Sequence, residues 1–137
     1  MTDAVPTTPL SIWIAYNDAC NAGDHQRAAR WVAPDLTVLA NGRPAVTSAQ
    51  EDRAIQDELI RCYPDYVRQY NGGFEHRDWA VAEWTMRGTP AGKLDLPPLQ
   101  VSGCSIIRCR DDRIVEARLY YPTGALDGVA DRALRGG

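Results

Sequence analysis

The spacing of apolar residues changes once along this chain, and that change constrains the fold more than any other feature. Up to about Cys62 the apolar side chains recur every three or four residues, as on one face of a helix. From Tyr66 onward they alternate, as on one face of a strand. Helices followed by strands joined through short turns make an α+β arrangement, with the helices on one face of an antiparallel sheet. At 137 residues the chain has room for one core.

The first predicted helix runs from about Ser11, its cap, to Asn21, with Trp13, Tyr16 and Cys20 on one side. Gly23 and Asp24 then close one helix and cap the next, over His25–Val32, which buries Ala28, Trp31 and Val32. A short strand follows over Leu36–Ala40, then an Asn41-Gly42 turn. Ser48 and Glu51 form a capping box for a third helix with an Ile55, Leu59 and Cys62 stripe, stopped by Pro64. Strands are predicted over Tyr66–Asn71, with a break at Gly72-Gly73, then over Trp79–Arg87, Val101–Arg110 and Ile114–Tyr121. A loop rich in glycine and proline covers 88–98, and Asp111-Asp112 makes a tight turn.

Strand parity divides the late residues into two sets. Ala80, Ala82, Trp84 and Met86, with Val101, Gly103, Ser105, Ile107 and Cys109, and with Ala117, Leu119 and Tyr121, face the helices. Glu83, Arg87, Arg108, Arg110, Glu116 and Arg118 face out. That outer face reads either as a solvated surface with cross-strand ion pairs or as a homodimer face.

Composition excludes several classes. The net charge of -3 argues against a nucleic-acid partner. No apolar run approaches the ~20 residues that span a bilayer, and Met1–Leu10 lacks a signal peptide's basic start and apolar stretch. A soluble cytoplasmic domain with no membrane partner is expected. Cys20, Cys62, Cys104 and Cys109 show no C-x-x-C pairing, and His25 and His76 stand alone, so neither a metal nor another cofactor is expected. The cysteines read as small apolar residues. Asp18, Asp52, Asp57 and Glu58 are expected on exposed helix faces, and Asp35 and Asp65 as caps or turn formers. His25 and His76 are expected to be solvated. The 88–98 loop is placed to cover a pocket mouth, and its Asp95 is the acid to test first as a further catalytic group.

Several short motifs carry a resemblance. They are Asn21-Ala22-Gly23-Asp24 after the first helix, Ala33-Pro34-Asp35 into a strand and Tyr63-Pro64-Asp65 after the third helix. Gly88-Thr89 then closes a strand, and Arg113-Ile114-Val115-Glu116 follows a hairpin turn. In this order they resemble the nuclear transport factor two-like superfamily, in particular its SnoaL-like polyketide cyclase and ketosteroid isomerase branches. The resemblance runs from about Ser11 to Leu126. It implies a cone-shaped α+β barrel, also called cystatin-like: a curved antiparallel sheet wrapped around three N-terminal helices, with a deep pocket between them. The expected layout is a flexible segment over 1–10, one domain over 11–130 and a tail over 131–137. Relatives commonly dimerise through the outer sheet face, which implies a homodimer here.

The resemblance also places an oxyanion-binding tyrosine at Tyr16. The isomerase's basic aspartate falls on Ala40, beside Asn41, and its protonated acid on Ser105 or Cys104. The cyclase histidine falls on Pro90, and the late carboxylate on Pro122 or Leu119. Each of those four positions lacks its ionisable group in this sequence. The expected pocket is therefore apolar and aromatic, without an acid. Tyr16, Ser105 and Tyr121 are the candidates for chemistry. Trp13, Val38, Ala40, Asn41, Leu59, Tyr63, Trp84, Met86, Ile107 and Leu119 are the candidates for binding a small apolar ligand. Two functions fit: a cyclase or isomerase acting on a polyketide-, steroid- or terpenoid-like substrate by orientation and hydrogen-bond polarisation, or a non-catalytic carrier of an apolar metabolite.

Overall fold

The computed structural model describes residues 5–92, 94 and 96–122. Asp95, the expected tail over 131–137 and the C-terminal end of the expected domain lie outside these residues. Three helices, α1 (Pro9–Asn21), α2 (His25–Ala29) and α3 (Ala49–Cys62), stand against six strands. The strands are β1 (Val32–Ala40), β2 (Arg43–Val46), β3 (Val67–His76), β4 (Trp79–Gly88), β5 (Leu99–Arg110) and β6 (Arg113–Tyr120). They form one mixed sheet in the order β2-β1-β6-β5-β4-β3.

Helix α1 begins earlier than its spacing suggests. Thr8 is the cap and Ser11 closes a reciprocal capping box from the N3 position, with Pro9 in the first turn. Pro9 and Leu10, expected in a flexible segment, therefore belong to the helix. Helix α2 stops at Ala29, because Val32 and Ala33 already belong to β1. β1 continues through Pro34, which falls between Val32 and Thr37 where the register with β6 shifts, a position that tolerates proline. Arg43–Val46, which the sequence did not mark as a strand, pairs antiparallel with β1 across the Asn41-Gly42 turn. Ser48 caps α3 as expected, but the Glu51 carboxylate reaches Thr47 rather than the cap backbone.

Strands β3 to β6 form the expected antiparallel meander. β1 joins it in parallel, alongside β6, with Val38 opposite Ala117 and Ala40 opposite Leu119. This crossover brings the N-terminal half over the meander. Register slips at Val38/Leu39, Tyr70/Gly72 and Arg108/Cys109 bend the sheet around the helices. The predicted break at Gly72-Gly73 is one of these bulges, with Gly72 at φ 142°, and the strand continues to His76.

Helix α1 packs on β3, β4, β5 and β6, and α3 on β1 and β2. The parity assignment holds: Ala80, Ala82, Trp84, Met86, Val101, Ser105, Ile107, Cys109 and Ala117 are buried. Trp84 is fully enclosed, and burying each large core side chain contributes ~1.5–3 kcal/mol. On the outer face Glu116 pairs with Arg108 and Arg118, and both guanidinium groups lie near the Trp79 ring.

Gly103 shows how tightly β5 and β6 approach. A Cβ there would lie 2.4 Å from the Tyr120 carbonyl oxygen and 2.8 Å from the Trp84 ring. Gly103→Ala is expected to cost ~1–3 kcal/mol in urea unfolding through forced backbone shifts. Gly92→Ala, where no atom would lie within 4 Å, is expected to change stability by less than ~0.5 kcal/mol.

Candidate functional site

A cavity of about 110 Å³ lies between α1, α3 and the concave face of the sheet. Its walls are mainly apolar: Trp13 from α1, Leu36 and Val38 from β1, Leu59 from α3, Met86 from β4, Ile107 from β5 and Leu119 from β6. Ten of the thirteen candidate residues line it, namely Trp13, Tyr16, Val38, Ala40, Leu59, Met86, Ser105, Ile107, Leu119 and Tyr121.

Three candidates do not line it. Trp84 is sealed behind the wall, its indole N–H donating to Ser105 Oγ at 2.8 Å. The Tyr63 hydroxyl donates to the Pro97 carbonyl at 3.2 Å and so ties down the chain just before β5. Asn41 sits in a turn at φ 52°, where its Oδ1 accepts from the Tyr121 backbone N–H. These are supporting positions. Trp84 fixes the Ser105 oxygen, and Asn41 fixes the start of Tyr121.

The expectation of a pocket without an acid is overturned. Asp52, expected on an exposed helix face, lines the cavity, and Tyr16 Oη donates to its Oδ2 at 2.5 Å. The reason is rotational. Asp52 heads the α3 stripe that continues through Ile55, Leu59 and Cys62, and that face turns toward the sheet. Burial pushes the Asp52 carboxyl above its ordinary 3.8; the Tyr16 hydrogen bond and the Arg68 charge only partly oppose it. Burial and the facing carboxylate push the Tyr16 phenol well up, so it stays protonated and remains a donor.

Asp52 is half-buried; Glu58 is buried, contrary to expectation, and pairs with Arg61 at the end of α3 rather than lining the cavity. Asp65 lies in the turn after α3, and its carboxylate accepts from the distant Thr89 N–H, whereas Asp35, expected as a cap or turn former, lies within β1. His76 is exposed, while His25 is half-buried and lies 3.5 Å from Asp57.

Arg68 is the second missed residue. It lines the cavity from β3 and is buried, with its guanidinium 5.0 Å from the Trp13 ring centroid, 5.9 Å from that of Tyr16 and 6.0 Å from that of Trp84. Its Nε donates to Asn17 Oδ1 at 2.7 Å. Burial would pull its pKa down, yet the nearby phenols, Cys20 and Asp52 hold it up, so the guanidinium is charged.

A second cavity of about 260 Å³ lies among the three helices, with His25, Ala28, Ala49 and Arg53 on its walls. Tyr16, Val32, Asp52 and Gln56 line both cavities. The Tyr16–Asp52 pair therefore borders both cavities.

The profile of the SnoaL-like domain matches residues 13–117. This chain belongs to the SnoaL-like domain family. No curated protein matches it. Among solved structures, it is similar to IdmH of Streptomyces antibioticus, a candidate polyketide cyclase, at 19% identity and TM-score 0.74, over 96% of this chain and 100% of that one. A candidate SnoaL-like polyketide cyclase from Jannaschia sp. CCS1 matches at 16% identity and TM-score 0.73, over 95% of this chain and 97% of that one. A cystatin-like-fold protein of unknown function from Xanthomonas campestris matches at 16% identity and TM-score 0.72, over 90% and 98%. At these identities the likeness concerns the fold, a curved sheet around three helices.

The raised Asp52 pKa has a definite consequence for stability. A carboxyl with a higher pKa folded than unfolded stabilises the fold below the unfolded value, near 3.8, and that contribution is lost as pH rises through the folded value. Asp52→Asn carries no such loss. The Tm of the Asn variant minus that of the wild type is therefore expected to increase between pH 4 and pH 8, as measured by thermal unfolding at matched ionic strength.

Proposed function

We propose that this SnoaL-like domain is a cyclase- or isomerase-type enzyme for a small, mainly apolar carbonyl compound, with Asp52 as its proton-transfer group. The observation that carries this reading is the 2.5 Å hydrogen bond from Tyr16 to Asp52 on the wall of a mainly apolar cavity that also holds Arg68. A carboxylate in such a place is a stronger base than in water, because desolvation penalises its charge.

The chemistry follows from that pair. The Asp52 carboxylate takes a proton from carbon next to the substrate carbonyl, and the C–H electron pair becomes the enolate. Protonating Asp52 weakens its hold on the Tyr16 hydroxyl, which is then free to turn to the enolate oxygen. Asp52 returns the proton to a different carbon in an isomerisation. In a ring closure the enolate carbon attacks a second carbonyl, and the new alkoxide receives the proton. The apolar walls hold the substrate in a reactive shape, which supplies part of the rate by orientation. Ser105, with its oxygen already accepting from Trp84, and Tyr121, at the cavity wall beside Leu119, act as orienting hydroxyls. This replaces the carboxylate-free mechanism expected from the sequence, because Asp52 supplies the acid that the four family positions lack.

The test is proton exchange into solvent. 2-Tetralone, a bicyclic ketone with activated C–H bonds, is followed by NMR in D2O with and without the protein. The wild type is expected to accelerate exchange. Asp52→Asn is expected to lose ~10²–10⁴-fold of that acceleration, and Tyr16→Phe a smaller part. Binding of the ketone with no acceleration by the wild type would point instead to a carrier.

A further inference from the structure

We infer that the cavity takes its ligand through a delocalised negative oxygen, a carboxylate or an enolate, and that Arg68 is the group that receives it. The inference rests on reading the cavity as a small-molecule site and adds the charge of what enters it.

Arg68 is 5% exposed and belongs to the cavity wall. A buried guanidinium ordinarily has its N–H groups satisfied or lies against a carboxylate, because an unpaired buried charge is expensive. Here only Nε has an acceptor among the described residues, Asn17 Oδ1. Nη2 is buried without one. The Tyr66 hydroxyl, two residues back along the chain, is likewise buried and without a partner. Asp52 acts on Arg68 through its charge, yet no carboxylate among the described residues forms an ion pair with it. The rings of Trp13, Tyr16 and Trp84 offset part of the cost through their π faces, but they accept no in-plane N–H.

The guanidinium is also held in place before any ligand arrives. Asn17 grips both its Nε and its backbone carbonyl, and Asn21 grips the backbone carbonyl and N–H. A planar fork fixed in this way, with N–H groups left over, matches the two oxygens of a carboxylate or of a 1,3-dicarbonyl enolate. A neutral ligand would leave the cation as it is. An anionic one would complete it, inside a low-dielectric wall where the pairing is strongest.

The experiment compares naphthalene-2-carboxylate with naphthalene-2-carboxamide, which have nearly the same shape, on the full chain at neutral pH. Binding is read by calorimetry and by tryptophan fluorescence, since Trp13 lies against the guanidinium. The carboxylate is expected to bind at least ten-fold more tightly than the amide. Arg68→Gln is expected to abolish that preference while changing amide affinity by less than about three-fold, and Arg68→Lys to keep part of it. Should Arg68→Gln fail to fold, the wild-type Arg68 Nε–H resonance serves instead: the carboxylate is expected to shift it and the amide to leave it near its free position. Equal affinities in the wild type, or a preference that survives Arg68→Gln, would overturn the anion site and leave the cavity reading intact. Failure of both compounds to bind would overturn both.

Discussion

Helix α1 is hydrogen-bonded to β3 through Arg68, and the interior is arranged around that tie. Asn17 and Asn21 make four hydrogen bonds to Arg68, two to its carbonyl, one from its N–H and one from its Nε. They lie one helical turn apart and so fix the rotation of α1 about its axis. That rotation turns Trp13 and Tyr16 toward the sheet and lays both rings against the guanidinium. Tyr16 then meets Asp52 from α3. The polar cluster therefore joins the first helix, the third helix and the far edge of the sheet, which hydrophobic packing alone would hold less specifically.

The cavity's electrostatics follow from the same cluster. One fixed cation and one carboxyl face an apolar space, and burial acts on them in opposite ways. The guanidinium keeps its charge, because the acidic groups around it, Tyr66, Tyr16, Cys20 and Asp52, offset the effect of burial. The carboxyl is pushed toward its neutral form. An arrangement with a permanent positive charge and a proton that is easily held or released suits chemistry in which negative charge develops on a substrate oxygen. The outer sheet face is organised differently, with Arg108, Arg118 and Glu116 sharing partly exposed pairs of the kind that contribute little individually.

Much of this was legible in the sequence. The switch from helical spacing to alternation gave the α+β class, and parity on β4, β5 and β6 gave the inward faces. What escaped depended on contacts distant in sequence. β2 is four residues long with a proline, too short for alternation to show. The parallel pairing of β1 with β6 leaves no local signature, since both partners read as ordinary strands. Asp52 was misplaced because an aspartate on a helix is usually solvated. Its position three residues before Ile55 and seven before Leu59 was the available signal. Arg68 was missed for a similar reason. It lies opposite Met86, whose inward direction the β4 pattern had already set, so the pairing of β3 with β4 would have carried it inside. Trp84, Tyr63 and Asn41 show the converse. Their inward or turn positions were readable, but which side of the wall each occupied was decided by hydrogen bonds to Ser105, Pro97 and Tyr121.

The central claim is that the Asp52 carboxyl is desolvated and held by Tyr16. The most direct measurement is an NMR titration of the Asp52 side-chain carboxyl carbon, in the wild type and in Tyr16→Phe. The account predicts a midpoint above the ordinary 3.8 in the wild type, moving higher still when the hydroxyl that favours the charged form is removed. A midpoint at or below 3.8, unmoved by Tyr16→Phe, would mean a solvated carboxylate outside the cavity and would contradict the account.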